Sequence, residues 1–218
     1  MAYLERLEAM AAELARHPLI EVLEHAVGSP YQADPVIARR HEAYIETQLR
    51  DRPLMQEARR DPSLRAFYKE LGWYRLVWRL HRDRLDPARH AWAFACEDGD
   101  WQLEGHINIL EEVDVFEPQE GMIWFAEDPP EDPLRTIYPL DRPHVQRATV
   151  LVPGPTGLEL ALYLPASRDL GSVRLRFDAW FDRLLATRGM VDTMWSSPGP
   201  DFERLRSVFP DVDPRPFA

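Results

Sequence analysis

The feature that most constrains the fold is a series of short strand-like segments between residues 73 and 164. The first, WYRLVWRL at 73–80, alternates apolar and other side chains with the period of a half-buried strand. The segments are separated by five to ten residues that include Gly, Pro and Asp. Parallel strands need crossover connections of about a dozen residues or more, so this spacing favours hairpins and an antiparallel sheet. The later segments are HAWAFAC, GHINIL, GMIWFAE, RTIYPL, ATVLV and LELALYL.

Helical periodicity precedes and follows these segments. Apolar residues at helical spacing predict helices over 4–14, from Pro35 to 49, and from about Asp61 to Leu71. A further helix is predicted for LIEVLEHAV, ending near Gly28. After the sheet, the helical stripe is formed by Phe177, Trp180, Phe181, Leu184 and Leu185, with Gly189 as its cap, and DFERLRSVF forms a last short helix.

The order of helices, then strands, then helices indicates an α+β fold. We expect a mostly antiparallel sheet flanked by N-terminal helices and C-terminal helices. Residues 1–60 are predicted to form a helical N-terminal extension and residues 61–218 an α+β domain, packed together as one compact unit. No internal repeat divides the chain.

Charge is distributed unevenly along the chain. Its 26 basic and 37 acidic side chains give a formal charge of −11. Between Arg89 and Arg135 there is no Lys or Arg, whereas thirteen acids occur, so this stretch accounts for the net negative charge. Direct nucleic-acid binding is therefore disfavoured, because phosphate contacts require Lys and Arg. An asymmetry of this kind concerns the partners of a protein rather than its fold.

Catalytic and metal motifs are not found in the sequence. HEAYI at 41–45 lacks the second His of a zinc-protease helix, and EDGD at 97–100, counted as a calcium loop from Asp98, places Ile109 where the final carboxylate belongs. We expect no catalytic residue, no bound metal and no cofactor, and interpret the chain as a non-enzyme. A carboxylate-dependent hydrolase or metal enzyme is the alternative from another functional class.

Cellular location is predicted from three further observations. Cys96 is the only cysteine, which excludes an intrachain disulfide, and it is expected to lie in the core. The N-terminus lacks the apolar centre of a signal peptide, and no run of about 18 apolar residues could span a membrane. A cytoplasmic protein without membrane contacts is predicted.

The acidic stretch is interpreted as a surface for a basic protein partner. A solvated acidic face without a partner is the alternative. An acidic surface accelerates association with a cationic protein, and interleaved aromatic side chains can anchor it. We expect Ile107, Ile109, Leu110 and Phe116 to belong to the sheet core, with the carboxylates exposed around it. The candidate anchors are Trp101, Phe116, Met122 and Trp124. The candidate partner-binding residues are Glu97, Asp98, Asp100, Glu104, Glu111, Glu112, Asp114, Glu117 and Glu120.

Several of these segments together resemble the SUKH superfamily, which includes bacterial toxin-immunity proteins and fungal cell-wall regulators. The resemblance rests on SLRAFYKELGWYRLVW, GHINILEEVDVF and FDAWFDRLLATRGM and covers roughly residues 60–190. Where members often have an Asn-Gly turn after the Phe-Tyr helix, this chain has Leu71-Gly72. The matching positions are Leu64, Phe67, Tyr68, Trp78, Gly105, Ile107, Leu110, Phe116, Phe177, Trp180, Phe181, Leu184, Leu185 and Gly189.

The resemblance implies an α+β fold without catalytic residues. For bacterial members it also implies neutralisation of a co-encoded toxin, often a nuclease, by direct binding. A regulatory or scaffold protein of the same fold, with no toxin partner, is the alternative. The sequence leaves the identity of the partner and the oligomeric state open.

Overall fold

The computed structural model describes most of the chain. The described residues are 2–94, 103–117, 119–120, 136–144, 146–154, 157–167, 169–195 and 200–212, without the side chains of Gln119, Glu120, Thr136, His144, Pro153 and Asp192. The α-helices in this part of the chain are α1 (Tyr3–Arg16), α2 (Pro35–Leu49), α3 (Pro53–Arg59), α4 (Pro62–Glu70), α5 (Glu112–Val115), α6 (Phe177–Ala186), α7 (Val191–Trp195) and α8 (Pro200–Val208). The strands are β1 (Ile20–Gly28), β2 (Trp73–Leu80), β3 (Glu104–Ile109), β4 (Gln119–Glu120), β5 (Thr136–Ile137), β6 (Pro139–His144), β7 (Arg147–Gly154), β8 (Gly157–Leu164) and β9 (Asp169–Leu170). The predicted α+β class is confirmed.

Seven strands form one antiparallel sheet, as the short connections predicted. Its order is β1-β2-β3-β6-β7-β8-β9, and β4 and β5 form a separate pair. Strands β7 and β8 make a regular hairpin whose register runs from Ala148 opposite Tyr163 to Gly154 opposite Gly157. The pairing of β6 with β7 is interrupted by register shifts on both sides of Asp141. Asp141, which lies between the two shifts, is completely buried.

The chain divides into two compact units, each assembled from separate stretches. The first comprises Met1–Ala26, Arg75–Ile107 and Ala179–Ala218, and the second comprises Val27–Tyr74 and Asn108–Asp178. Residue 60, the expected end of a helical extension, lies inside the second unit.

Two of the helices begin where the sequence predicted, at an aspartate followed by proline. The Asp34 carboxylate accepts hydrogen bonds from the backbone N–H of Val36 at 2.8 Å and of Ile37 at 3.2 Å, and Pro35 opens α2. Asp61 caps α4 in the same way. The side-chain oxygen satisfies amide groups that have no carbonyl partner inside the helix, while proline lacks an N–H to satisfy.

The helix predicted for LIEVLEHAV is wrong, because this segment forms strand β1. The backbone N–H of His81 donates to the carbonyl of Leu19 at 2.8 Å, at one end of the β1–β2 pair. The Arg79 guanidinium also lies 2.8 Å from the Glu21 carboxylate. Pairing with a neighbouring strand satisfies the backbone of β1 and overrides its weak local helical preference.

The strand predicted for HAWAFAC is also wrong in its described part, where Ala91–Ala93 form a short 3-10 helix. Its N–H groups are satisfied locally, with Ala93 donating to the carbonyl of His90 at 2.8 Å. Cys96 and GMIWFAE lie outside the described residues. The other predicted strand segments overlap the strands β2, β3 and β5–β8, although most of β6 lies beyond the end of RTIYPL.

In the first unit, Gly105 allows the backbone to approach a fully buried tryptophan. Trp78 is completely enclosed, and its indole N–H donates to the carbonyl of Arg188 at 2.6 Å. Gly105 lies against this indole, where a Cβ would overlap both the ring and the Arg188 carbonyl. Gly189 has a φ of +79° and donates its N–H to the Leu184 carbonyl, which confirms it as the cap of α6. Trp78, Gly105 and Gly189 therefore have structural reasons for their residue types.

We expect Gly105→Ala to lower the free energy of unfolding by about 1–3 kcal/mol, because the added methyl group overpacks the Trp78 site. Chemical denaturation measures the change. Gly171→Ala is the control, since the nearest atom to its Cβ is the Leu162 carbonyl oxygen at 3.4 Å, an ordinary contact. Equal stabilities of the two variants would contradict the overpacking argument.

Candidate functional site

The nine predicted partner-binding acids fall into three groups. Glu97, Asp98 and Asp100 lie outside the described residues, and only the backbone of Glu120 is described. Glu104 is exposed at the start of β3, in the first unit. The remaining four acids, Glu111, Glu112, Asp114 and Glu117, lie on and around α5 in the second unit.

The acids around α5 differ in exposure. Asp114 and Glu117 are exposed and Glu111 is half-buried, in agreement with a carboxylate-bearing surface. Glu112 is buried, with 7% of its surface accessible. The expectation that Glu112 is a solvated carboxylate is therefore wrong. Its side chain points to interior partners that are distant in sequence.

Glu112 is the centre of a hydrogen-bonded network between elements of the second unit. The Tyr31 hydroxyl donates to Glu112 Oε2 at 2.6 Å, and Arg59 Nε donates to Glu112 Oε1 at 2.9 Å. The same guanidinium donates through Nη2 to Glu42 at 2.8 Å. Burial and the bond to Glu112 raise the pKa of Tyr31, which keeps its hydroxyl a donor. The network joins α5 to α2 and α3.

The burial of the hydrophobic residues next to this network agrees in part with the prediction. Phe116 is completely buried beneath the Arg59 guanidinium, whose carbon lies 5.9 Å from the ring centroid. Ile107 and Ile109 are buried in β3, whereas Leu110 is half-buried. Phe116 thus belongs to the core and is not an exposed anchor. The other candidate anchors, Trp101, Met122 and Trp124, lie outside the described residues.

A surface with exposed tyrosine and carboxylate groups lies where α2 meets α5. The Tyr44 hydroxyl donates to Glu117 Oε1 at 2.9 Å, and 38% of Tyr44 remains exposed. Ile37, two turns earlier on the same helix face, is 42% exposed. Burial, followed by repulsion from Glu117, raises the pKa of Asp114. We call Ile37, Tyr44, Glu111, Asp114 and Glu117 the acidic surface.

The second unit also contains a polar cleft with a volume of about 510 Å³. The buried Glu112 and the half-buried Arg59 form an ion pair in it, and Tyr68 contributes a buried aromatic side chain. The cleft contains four basic and three acidic side chains, whereas the charged residues that define the acidic surface are all carboxylates. Its lining residues are Gln32, Glu42, Glu46, Leu49, Gln56, Arg59, Arg60, Arg65, Tyr68, Lys69 and Glu112.

Sequence reasoning did not identify the partners of Glu112. Tyr31 and Arg59 are separated from it by 81 and 53 residues, and neither belongs to a motif or shares a periodic pattern with it. The one available signal is the sequence of α5 itself, since Glu112 precedes the buried Val115 by three positions and so lies on the same helix face.

Within the described part of the chain, no group of three or more His, Cys, Asp or Glu side chains could hold a metal ion. The helices described there include none with the length and apolar character needed to cross a membrane.

The chain was also compared with models of known protein families, with curated proteins and with solved structures, and none of the three comparisons gives a match. The resemblance to the SUKH superfamily therefore stays a prediction, and a function has to be argued from the residues of the two candidate sites.

Proposed function

We propose that this chain is a non-enzymatic protein-binding module, an immunity protein of the SUKH kind that neutralises a basic toxin domain by direct binding. The observation that carries the proposal is the acidic surface, where the exposed carboxylates of Asp114 and Glu117 stand beside the exposed ring of Tyr44. These acids belong to a stretch of the chain without a single Lys or Arg.

Electrostatics favours a cationic partner for this surface. Burial and, after it, repulsion from Glu117 raise the pKa of Asp114, although His41 and Arg142 partly oppose the shift. The two carboxylates therefore repel one another in the free protein. A cation placed between them would relieve this repulsion. Charges at the rim of an interface mainly increase the rate of association and exclude partners of the same charge.

The apolar members of the surface provide the complementary part of an interface. Tyrosine is enriched among residues that contribute most to binding, because it buries a large ring and keeps a polar end. Ile37 and Tyr44 are exposed on one face of α2 and would lose solvent contact in a complex. A nuclease domain suits such a surface, since its nucleic-acid groove must be positively charged.

The first test is the protein encoded next to this chain. A large product with a basic C-terminal domain supports the proposal, and that purified domain is then the probe for binding and for loss of toxicity. A pull-down that returns several unrelated partners, together with no toxin-encoding neighbour, would favour the regulatory or scaffold alternative.

We expect Glu111→Lys combined with Glu117→Lys to slow association with this domain about tenfold at low ionic strength and to flatten its dependence on salt. The reason is loss of electrostatic attraction, and stopped-flow mixing measures it. Asp51→Lys with Glu57→Lys makes the same change in net charge at exposed positions of the second unit outside the acidic surface. An unchanged association rate in the first variant, or an equal decrease in both, would contradict docking through the acidic surface.

A further inference from the structure

The cleft of the second unit contains three basic side chains that no described carboxylate neutralises. Arg65 and Lys69 are four residues apart on α4 and therefore lie on the same helix face, and Arg60 follows the last residue of α3. All three are exposed and line the cleft. Neither a salt bridge nor a side-chain hydrogen bond joins any of them to the described residues.

The other charged side chains of the cleft are bonded to one another, one cation to two carboxylates. The Arg59 guanidinium is bonded to both Glu112 and Glu42, so its donors and charge are already engaged. Of the acids that line the cleft, Glu46 alone has no described ion-pair partner. The unneutralised groups are thus three cations and one anion, in a protein whose overall charge is −11.

We propose that this cleft binds a small organic dianion, either a phosphate monoester or a dicarboxylate. Arginine recognises both groups through paired N–H donors, and lysine adds a compact positive charge. The three cations and Glu46 together carry a charge of +2, equal and opposite to that of a dianion, while Arg59 with Glu42 and Glu112 carries a charge of −1. The acidic surface plays no part in this inference, which therefore does not depend on the proposed function.

The dimensions and the remaining lining suit an organic molecule rather than a bare ion. Small-molecule sites commonly have volumes of about 300–1,000 Å³, and the cleft measures about 510 Å³. Gln32 and Gln56 contribute amide groups, and the almost fully buried Leu49 and Tyr68 lie in its wall. The buried network of Glu112, Arg59 and Tyr31 holds α2, α3 and α5 together without the ligand, so the cleft is already formed.

Isothermal titration of the whole chain at low ionic strength and pH 7.5, with inorganic phosphate and with succinate as probes, tests the proposal. We expect at least one probe to bind with a dissociation constant below about 1 mM. Binding of phosphate alone identifies the phosphate monoester class, binding of succinate alone the dicarboxylate class, and binding of both their shared charge. If neither phosphate nor succinate binds at this level, the proposal is overturned.

Two double variants distinguish binding in the cleft from general electrostatic attraction to the protein. We expect Arg65→Glu with Lys69→Glu to weaken binding at least about tenfold, because two charge-assisted contacts are lost. Arg39→Glu with Arg40→Glu changes the net charge equally at exposed positions of α2 that do not line the cleft, and should bind as the wild type does. Equal weakening by both pairs would also overturn the proposal. Arg65→Gln with Lys69→Gln repeats the measurement without charge reversal, should the first pair fold poorly.

Discussion

We expect Glu112→Ala to lower the free energy of unfolding by about 3 kcal/mol. The substitution removes the nearer acceptor of the Tyr31 hydroxyl, which also lies 3.3 Å from Glu42 Oε1, and one of the two carboxylates bound to Arg59. Breaking a buried ion pair by removing one partner costs about 3–5 kcal/mol. The expected loss lies at the lower end because Arg59 keeps its bond to Glu42 and is partly exposed. Urea denaturation at neutral pH measures it.

The adjacent residue provides a matched control. Glu111 is also a glutamate at the start of α5 but is half-buried and accepts no cap hydrogen bond. We expect Glu111→Ala to change the free energy of unfolding by less than about 1 kcal/mol. In a double-mutant cycle of Glu112→Ala with Arg59→Met, we expect a coupling energy above about 1 kcal/mol. Equal effects of the two alanine substitutions would show that the network does not stabilise the fold.

The second large effect concerns Asp141, whose carboxyl group is completely buried in the sheet. Its Oδ1 accepts a hydrogen bond from the backbone N–H of Asn108 at 2.7 Å. Its Oδ2 has no partner among the described residues, and the same holds for the hydroxyl of Thr149, its register partner on β7. Burial raises the pKa of Asp141 from 3.8 to about 7, although the Asn108 hydrogen bond partly opposes the shift.

Because the pKa of Asp141 is raised in the folded chain, the free energy of unfolding decreases as the pH rises. Between pH 4 and pH 7 the folded chain keeps a proton on Asp141 that the unfolded chain has lost, so stability falls as the pH rises through this range. A difference of this size corresponds to about 4 kcal/mol in total, of which about 3 kcal/mol is lost between pH 5 and pH 8. Above about pH 8 the contribution changes little, because Asp141 is then ionised in both the folded and the unfolded chain.

We expect Asp141→Asn to remove this loss and to be more stable than the wild type at pH 8. The amide stays neutral, its oxygen can accept the Asn108 N–H, and its NH₂ group can donate to Thr149. Urea denaturation at pH 5 and pH 8 compares the variant with the wild type. Asp83→Asn, at an exposed position, should keep the wild-type difference between the two pH values. If Asp141→Asn keeps it as well, the proposed protonation of Asp141 is wrong.

Local signals in the sequence were sufficient where the structure depends on neighbouring residues. The alternation in WYRLVWRL correctly placed Tyr74, Leu76, Trp78 and Leu80 on a buried face of β2. The Asp-Pro pairs marked the beginnings of α2 and α4, and Gly189 marked the end of α6. Side-chain period and capping act within a few residues, so they can be recognised without knowledge of the rest of the fold.

The wrong predictions involve contacts between distant parts of the chain. LIEVLEHAV carries apolar residues at spacings that fit either a helix or a strand. It forms a strand because it pairs with β2. The exposure of the carboxylates at 111–117 could not be distinguished in sequence either. Glu112 is buried because Tyr31 and Arg59, from other elements of the second unit, supply its hydrogen bonds.

By itself, the sequence determined the α+β class, the antiparallel arrangement and the concentration of negative charge in one stretch, because periodicity, connection length and composition are properties of the chain alone. Only the tertiary structure decided which carboxylate is buried, that Asp141 lies inside the sheet, and that Arg60, Arg65 and Lys69 line one cleft. These outcomes depend on which distant groups meet, and burial and hydrogen bonding between such groups are set by packing.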